Sequence, residues 1–282
     1  MRFRALAVAI VVALAVPAIH AQQGRPAPTP QRTPASAPSG APDLKKVLYN
    51  AADALGMLRG SQEVDRVATI RYWAAGTMTV NGQSYKVTSY LGSVNYHVPG
   101  MRADITRTGP DGKAQRRIEV VSDKYAWDEA QPGTNGTPAA ESANVRQLHI
   151  WMLPQGAVKA ATAAGAATRV TVEGGSTMLT FPIASLGATV KATLDAKSLI
   201  TNVEARMGTT VINTSYSEYG DWNGDDYLSD VMFPRHIVEK VGGVTVLDLT
   251  VSKTNTYNPY VVMPVPDNVE KAQTGSQSAA AR

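Results

Sequence analysis

Apolar and polar residues along the chain follow two periods, and the change from one to the other marks the elements. From Asp43 the apolar residues Leu44, Val47, Leu48, Ala51 and Leu55 recur at helical spacing, while Lys45, Lys46, Asn50 and Asp53 fall between them. With Asp43 as N-cap, this predicts an amphipathic helix with one apolar stripe. From Ala68 the period is two: Ala68, Ile70, Tyr72 and Ala74 share one strand face, and Asn81-Gly82 supplies a hairpin turn. Strands are predicted next over Tyr85 to Tyr90, Val94 to Val98 and Arg102 to Thr106. The turn Gly109-Pro110-Asp111-Gly112 then leads into Gln115 to Val121 and the short Lys124 to Trp127.

The segment from Asp128 to Ala140 carries Pro and Gly and reads as a loop. Beyond it Val145, Leu148 and Met152 lie on one side of a short helix that should end before Pro154. An Ala-rich second helix near Ala157 to Ala164 closes at Gly165. Strands and tight turns fill the rest, from Thr168 to Val172 through Ala188 to Leu194 and Phe233 to Val241 to Val244 to Ser252. Consecutive strands joined by such short turns are antiparallel. The expectation is an α+β domain, a strongly curved antiparallel sheet with a few helices packed on one face.

Composition narrows the setting. Residues 1–21 have the plan of a signal peptide: Arg2 and Arg4, an apolar run from Ala5 to Val16, then Ala18 and Ala21. That run is too short to span a bilayer, which takes roughly 20 apolar residues, and no later segment approaches that length, so the mature protein is expected not to span a membrane. Without Arg2 and Arg4 the 27 basic residues fall to 25 against 23 acidic ones, and the net charge of +4 falls to about +2, which is no nucleic-acid signature. The chain has no cysteine, hence no disulfide and no lipobox cysteine. The expected compartment is a bacterial periplasm. Residues 22–42, rich in Pro and Ala, read as a disordered spacer and 269–282 as a disordered tail, leaving 43–268 as one domain, expected to be a monomer.

Three stretches carry a family resemblance. They are Arg146-Gln-Leu-His-Ile-Trp-Met-Leu-Pro-Gln-Gly-Ala-Val-Lys-Ala-Ala161, Phe233-Pro-Arg-His-Ile-Val-Glu-Lys-Val-Gly-Gly243 and Leu247-Asp-Leu-Thr-Val251. Together they resemble the exported domain that precedes a metallo-β-lactamase-fold hydrolase domain in many bacterial proteins. That domain is similar in turn to the periplasmic lipoprotein carriers of the LolA/LolB type. The resemblance implies a half-barrel whose concave side holds the helices and an apolar cavity. The His-x-His-x-Asp-His metal motif of the hydrolase domain is nowhere in this sequence, so any hydrolase function would come from another chain.

Catalytic signatures are missing. His97, His149 and His236 lack metal-ligand spacing and read as surface or strand-face histidines. There is no Gly-x-Ser-x-Gly, no serine three residues before a lysine and no phosphate-binding glycine pattern. Asp221-Trp-Asn223-Gly-Asp225-Asp226 echoes the start of a calcium loop, but the sixth position is Asp226 and no glutamate follows at the twelfth, so it reads as a solvated acidic loop. No metal or cofactor is expected. Under the half-barrel reading the candidate ligand-binding residues are Ile70, Tyr72, Trp127, Trp151, Met152 and Phe233, large apolar groups suited to a cavity wall. For each of them ordinary core is the simpler alternative. The expected function is a non-catalytic carrier enclosing an apolar small molecule, lipid or lipidated protein; the rival is an envelope interaction module with a filled core.

Overall fold

A computed structural model describes residues 42–280, apart from 60, 61, 63, 135, 223–230 and 257. The predicted signal peptide, the spacer up to 41 and the heart of the Asp221–Asp226 loop lie outside the described residues. The domain begins with helix α1 (Leu44–Ala54), and the Asp43 carboxylate accepts from the Lys45 backbone N–H at 2.9 Å as an N-cap does. A small ribbon follows, β1 (Leu58–Arg59) with β2 (Val64–Asp65).

Two meanders build the main sheet. The first runs β3 (Thr69–Val80), β4 (Gln83–Asn95), β5 (Gly100–Thr108), β6 (Ala114–Ser122), β7 (Tyr125–Glu129) and β8 (Thr137–Pro138). Helices α2 (Ala143–Met152) and α3 (Pro154–Ala164) carry the chain across. The second runs β9 (Arg169–Glu173), β10 (Ser176–Ile183), β11 (Ala188–Leu194), β12 (Ile200–Met207), β13 (Thr210–Asp221), β14 (Met232–Val241) and β15 (Val244–Asn255). Because β15 pairs with β3, the meanders join, among the described residues, into one 13-stranded antiparallel sheet with β8 and β9 at its two edges.

This topology positions the helices. The edges β8 and β9 are neighbours in sequence but lie at opposite ends of the sheet, and the connection between them runs through α2 and α3. α2 touches β5 and β6 in one wing and β12 in the other, and α3 rests on β10 and β12. One helix can meet both wings only if the sheet curves round it. The fold is therefore the expected α+β half-barrel, open rather than closed, with α2 and α3 in its concave side. Enclosure explains why α2 buries Arg146, Leu148, Ile150 and Met152, which lie on more than one side of the helix.

Two features depart from the sequence reading. The stretch predicted as two strands, 85–90 and 94–98, is the single strand β4, which continues through Gly92 and ends at Asn95. The predicted disordered tail from 269 begins instead inside helix α4 (Asp267–Ala280), which lies against the outside of the first wing. There Val269 packs in a second apolar cluster with Ile118, Val120, Trp127, Val261 and Met263. Gln273 Nε2 donates to the Ala126 carbonyl at 3.0 Å, and Asn268 Nδ2 donates to that of Gly136. Val269 and Gln273 are one helical turn apart, so a segment of small and polar residues still presents one docking side. Among the described residues no helix is long and apolar enough to cross a membrane.

Candidate functional site

Strand alternation and the α2 stripe leave a space between them. In β14, Ile237 and Glu239 share the concave side; in β13, Ile212, Thr214 and Tyr216 do. Residues 146, 149 and 152 of α2, three apart, face the same way. Between these surfaces lies a cavity of about 190 Å³. Its walls include Met78, Met101, Ile105, Met152, Ile237 and Leu249. An apolar cavity of about 150 Å³ already admits benzene, whereas pockets for whole drug-sized ligands run to roughly 300–1,000 Å³. The space therefore suits one compact apolar group or chain segment. Half-buried Met78, Thr79, Val246 and Leu247 form its outer end, beside the β3–β4 and β14–β15 hairpins.

Hydrogen bonds fix the helical cover. Tyr216 Oη donates to the Met152 carbonyl at 2.8 Å, and Gln155 Nε2 donates to that of Met232 at 2.8 Å. Arg146 is buried and donates to the carbonyls of Val120 and Trp127 and to the Asp128 carboxylate. Its charge is thereby bonded from several sides.

The cavity is not wholly apolar. His149 Nε2 lies 3.1 Å from Glu239 Oε2. Burial pulls the His149 pKa down, but the Glu239 carboxylate beside it outweighs burial, and the net shift is upward. For Glu239, burial pushes up and His149 pulls down by more, so the carboxyl is held below its ordinary range. The rings of Tyr72 and Tyr90 stack at 5.7 Å. Burial pushes the Tyr72 phenol up to about 12 and that of Tyr90 well above its ordinary value, so both present neutral hydroxyls.

The structure separates the six sequence-predicted site residues. Tyr72 and Met152 border the cavity. Phe233 is fully buried behind Tyr72, ring centroids 5.2 Å apart, and Ile70 is fully buried core. Trp151 turns away to a second recess with Tyr96, His97 and Lys159, its ring 6.2 Å from that of Tyr96. Trp127 belongs to the apolar cluster under α4, because alternation along β6 and β7 sends Ile118, Val120 and Trp127 to the side opposite Glu119 and Val121. Sequence reasoning missed His149, Glu239, Arg146 and Thr214. The signal was present: the spacing of 146, 149 and 152 on one helix, and Glu239 two residues beyond Ile237. Among the described residues no three His, Asp or Glu side chains converge as ligands of a metal ion would.

No family model and no curated protein matches the chain. Among solved structures it is similar to the crystal structure of the Mycobacterium tuberculosis lipoprotein LppX, with 13% identity over 78% of this chain and 98% of that one, at a TM-score of 0.25. A likeness at that score supports neither fold nor function.

Proposed function

We propose that this is an exported, non-catalytic binding protein that holds an apolar ligand, such as an acyl chain of a lipid or lipidated partner, between α2 and the concave side of the sheet. The observation that carries this reading is the cavity itself: about 190 Å³ of space, lined mainly by apolar side chains, between α2 and the concave side of the sheet. Three methionines, Met78, Met101 and Met152, line it, and their unbranched side chains adapt to ligand shape at small cost. Each buried CH₂ contributes roughly 0.8 kcal/mol, so a chain segment of several carbons binds without an ion pair. The basic and apolar run of residues 1–21 supports export to a periplasm. The absence of a nucleophile motif in the sequence supports a binding role over a catalytic one.

1-Aminoanthracene, a compact uncharged dye that brightens in apolar surroundings, tests the reading on the purified mature protein. Saturable binding, displaced by a short-chain alkyl compound, is the expected result. Native mass spectrometry of protein taken from its own periplasm should also show a co-purified apolar molecule. Lack of saturable binding together with bare protein in the spectrometer would leave the interaction module as the better reading.

A further inference from the structure

The strand register arranges the polar groups of the cavity by depth. Thr214 pairs with Glu239, Glu239 with Leu247 and Leu247 with Met78, so these four stand in one row across the sheet. The row lies close to the β14–β15 turn, where Val241 pairs with Val244. The next row inward, Tyr216, Ile237 and Leu249, is apolar except for a hydroxyl already donated to the Met152 carbonyl. The outer row thus carries the carboxylate and the free-standing hydroxyl, and the row inward of it is apolar.

The charges at this rim are already paired with one another. Among the described lining residues the cations are Arg146 and His149; the first is bonded to Asp128 and two carbonyls, the second to Glu239. Glu119 also lines the cavity, with Arg117 2.8 Å away on its outer side. An entering carboxylate would find no uncommitted cation and would face Glu239 and Glu119 where water is scarce, so it would be repelled. An alkylammonium would have to compete with His149 for Glu239. Thr214 Oγ1, by contrast, is buried beside Glu239 and Tyr216 yet makes no hydrogen bond of ordinary geometry to either, a state that buried hydroxyls rarely keep.

We propose that the ligand is an uncharged single-chain amphiphile whose hydroxyl-bearing head sits at the rim between Thr214 and Glu239, its chain directed inward, and that ionised fatty acids are rejected. This rests on the reading of the cavity as a carrier site. Donating to the Glu239 carboxylate while accepting from Thr214 needs a hydroxyl, which does both.

Competition against 1-aminoanthracene tests this on the mature full-length protein, using 1-octanol, octanoate and octylammonium at neutral pH and fixed ionic strength. The expected order places 1-octanol first, displacing the dye at a concentration roughly tenfold or more below octanoate. Generic hydrophobicity also favours the alcohol, so the ratio is measured again in two variants. Glu239→Gln removes the repulsion and should strengthen octanoate; Thr214→Val removes the partner hydroxyl and should weaken 1-octanol; both shrink the ratio. An unchanged ratio in both variants overturns the proposal, as does octanoate or octylammonium binding best in the wild type. If the dye itself does not bind, the carrier reading falls and this inference with it, an outcome distinct from the reversed preference.

Discussion

Tyr72 lies flat across Gly92, its register partner on the neighbouring strand. A Cβ built on Gly92 would stand 2.2 Å from the Tyr72 ring, well inside contact distance. The missing side chain at Gly92 is therefore what lets Tyr72 reach both Phe233 and Tyr90 and form part of the cavity wall. Gly92→Ala should force the ring to move and cost about 1–3 kcal/mol, the usual range for overpacking. The same variant should weaken 1-aminoanthracene binding. Urea unfolding and dye titration check the two effects; wild-type values in both would show that the ring finds another seat without loss.

Trp151 and Met152 are adjacent in α2 but serve different spaces, and the difference is measurable. Met152 is fully buried and borders the cavity, so Met152→Ala should cost about 2–5 kcal/mol, toward the low end because the side chain already faces a void. It should also change dye affinity or emission. Trp151 is half-buried in the second recess, so Trp151→Ala should cost roughly 1–2 kcal/mol, less than a fully buried aromatic, and leave the dye titration as it was. A large loss of dye binding in Trp151→Ala alone would place the ligand in the wrong space.

What was legible in the sequence was local. The stripe of α1, the Asp43 cap, the Asn81-Gly82 turn and the break before Pro154 are each decided by residues within a few positions of one another. Asn81 and Gly82 both have positive φ, as a tight hairpin of this kind requires. What was not legible depends on residues far apart in the chain. Gly92 reads as a strand break until Tyr72 is seen across the ladder. Trp127 reads as cavity wall until the segment through Val269 covers it on the other side. His149 and Glu239 each look solvated in isolation, and only the curvature that brings α2 over β14 makes them a pair.

That pair gives stability a pH dependence of known sign. The folded pKa of His149 is raised above its ordinary 6.5, so its contribution is complete below that value and is lost as pH rises through the folded pKa. The folded pKa of Glu239 is lowered from 4.5, so its contribution is present above that value and is lost as pH falls through the folded pKa. The two overlap most fully between 4.5 and 6.5. Unfolding free energies of the wild type minus those of His149→Gln, measured in urea across this range and beyond both ends, should pass through a maximum inside the window. A flat difference would mean that the two side chains do not interact in solution.

The C-terminal helix offers the sharpest test of where the domain ends. α4 places Val269 with no exposed surface among Ile118, Val120 and Trp127, and Gln273 bonds the Ala126 carbonyl from the turn beyond. Burying a valine is worth about 1.5–3 kcal/mol, and each net hydrogen bond about 0.5–1.5 kcal/mol. Removing residues 271–282 deletes the Gln273 bond but keeps Val269, and should cost about 1 kcal/mol. Removing residues 267–282 deletes both, together with the bond from Asn268 to Gly136, and should cost roughly 2.5–6 kcal/mol. The longer truncation should also let water reach the Trp127 indole, whose Nε1–H donates to Glu129 at 2.9 Å beneath this cover. Its emission should therefore move to longer wavelength, while the shorter truncation leaves it near the wild-type position. Equal midpoints for all three proteins in urea would show that α4 does not dock in solution and that the folded domain stops before residue 267.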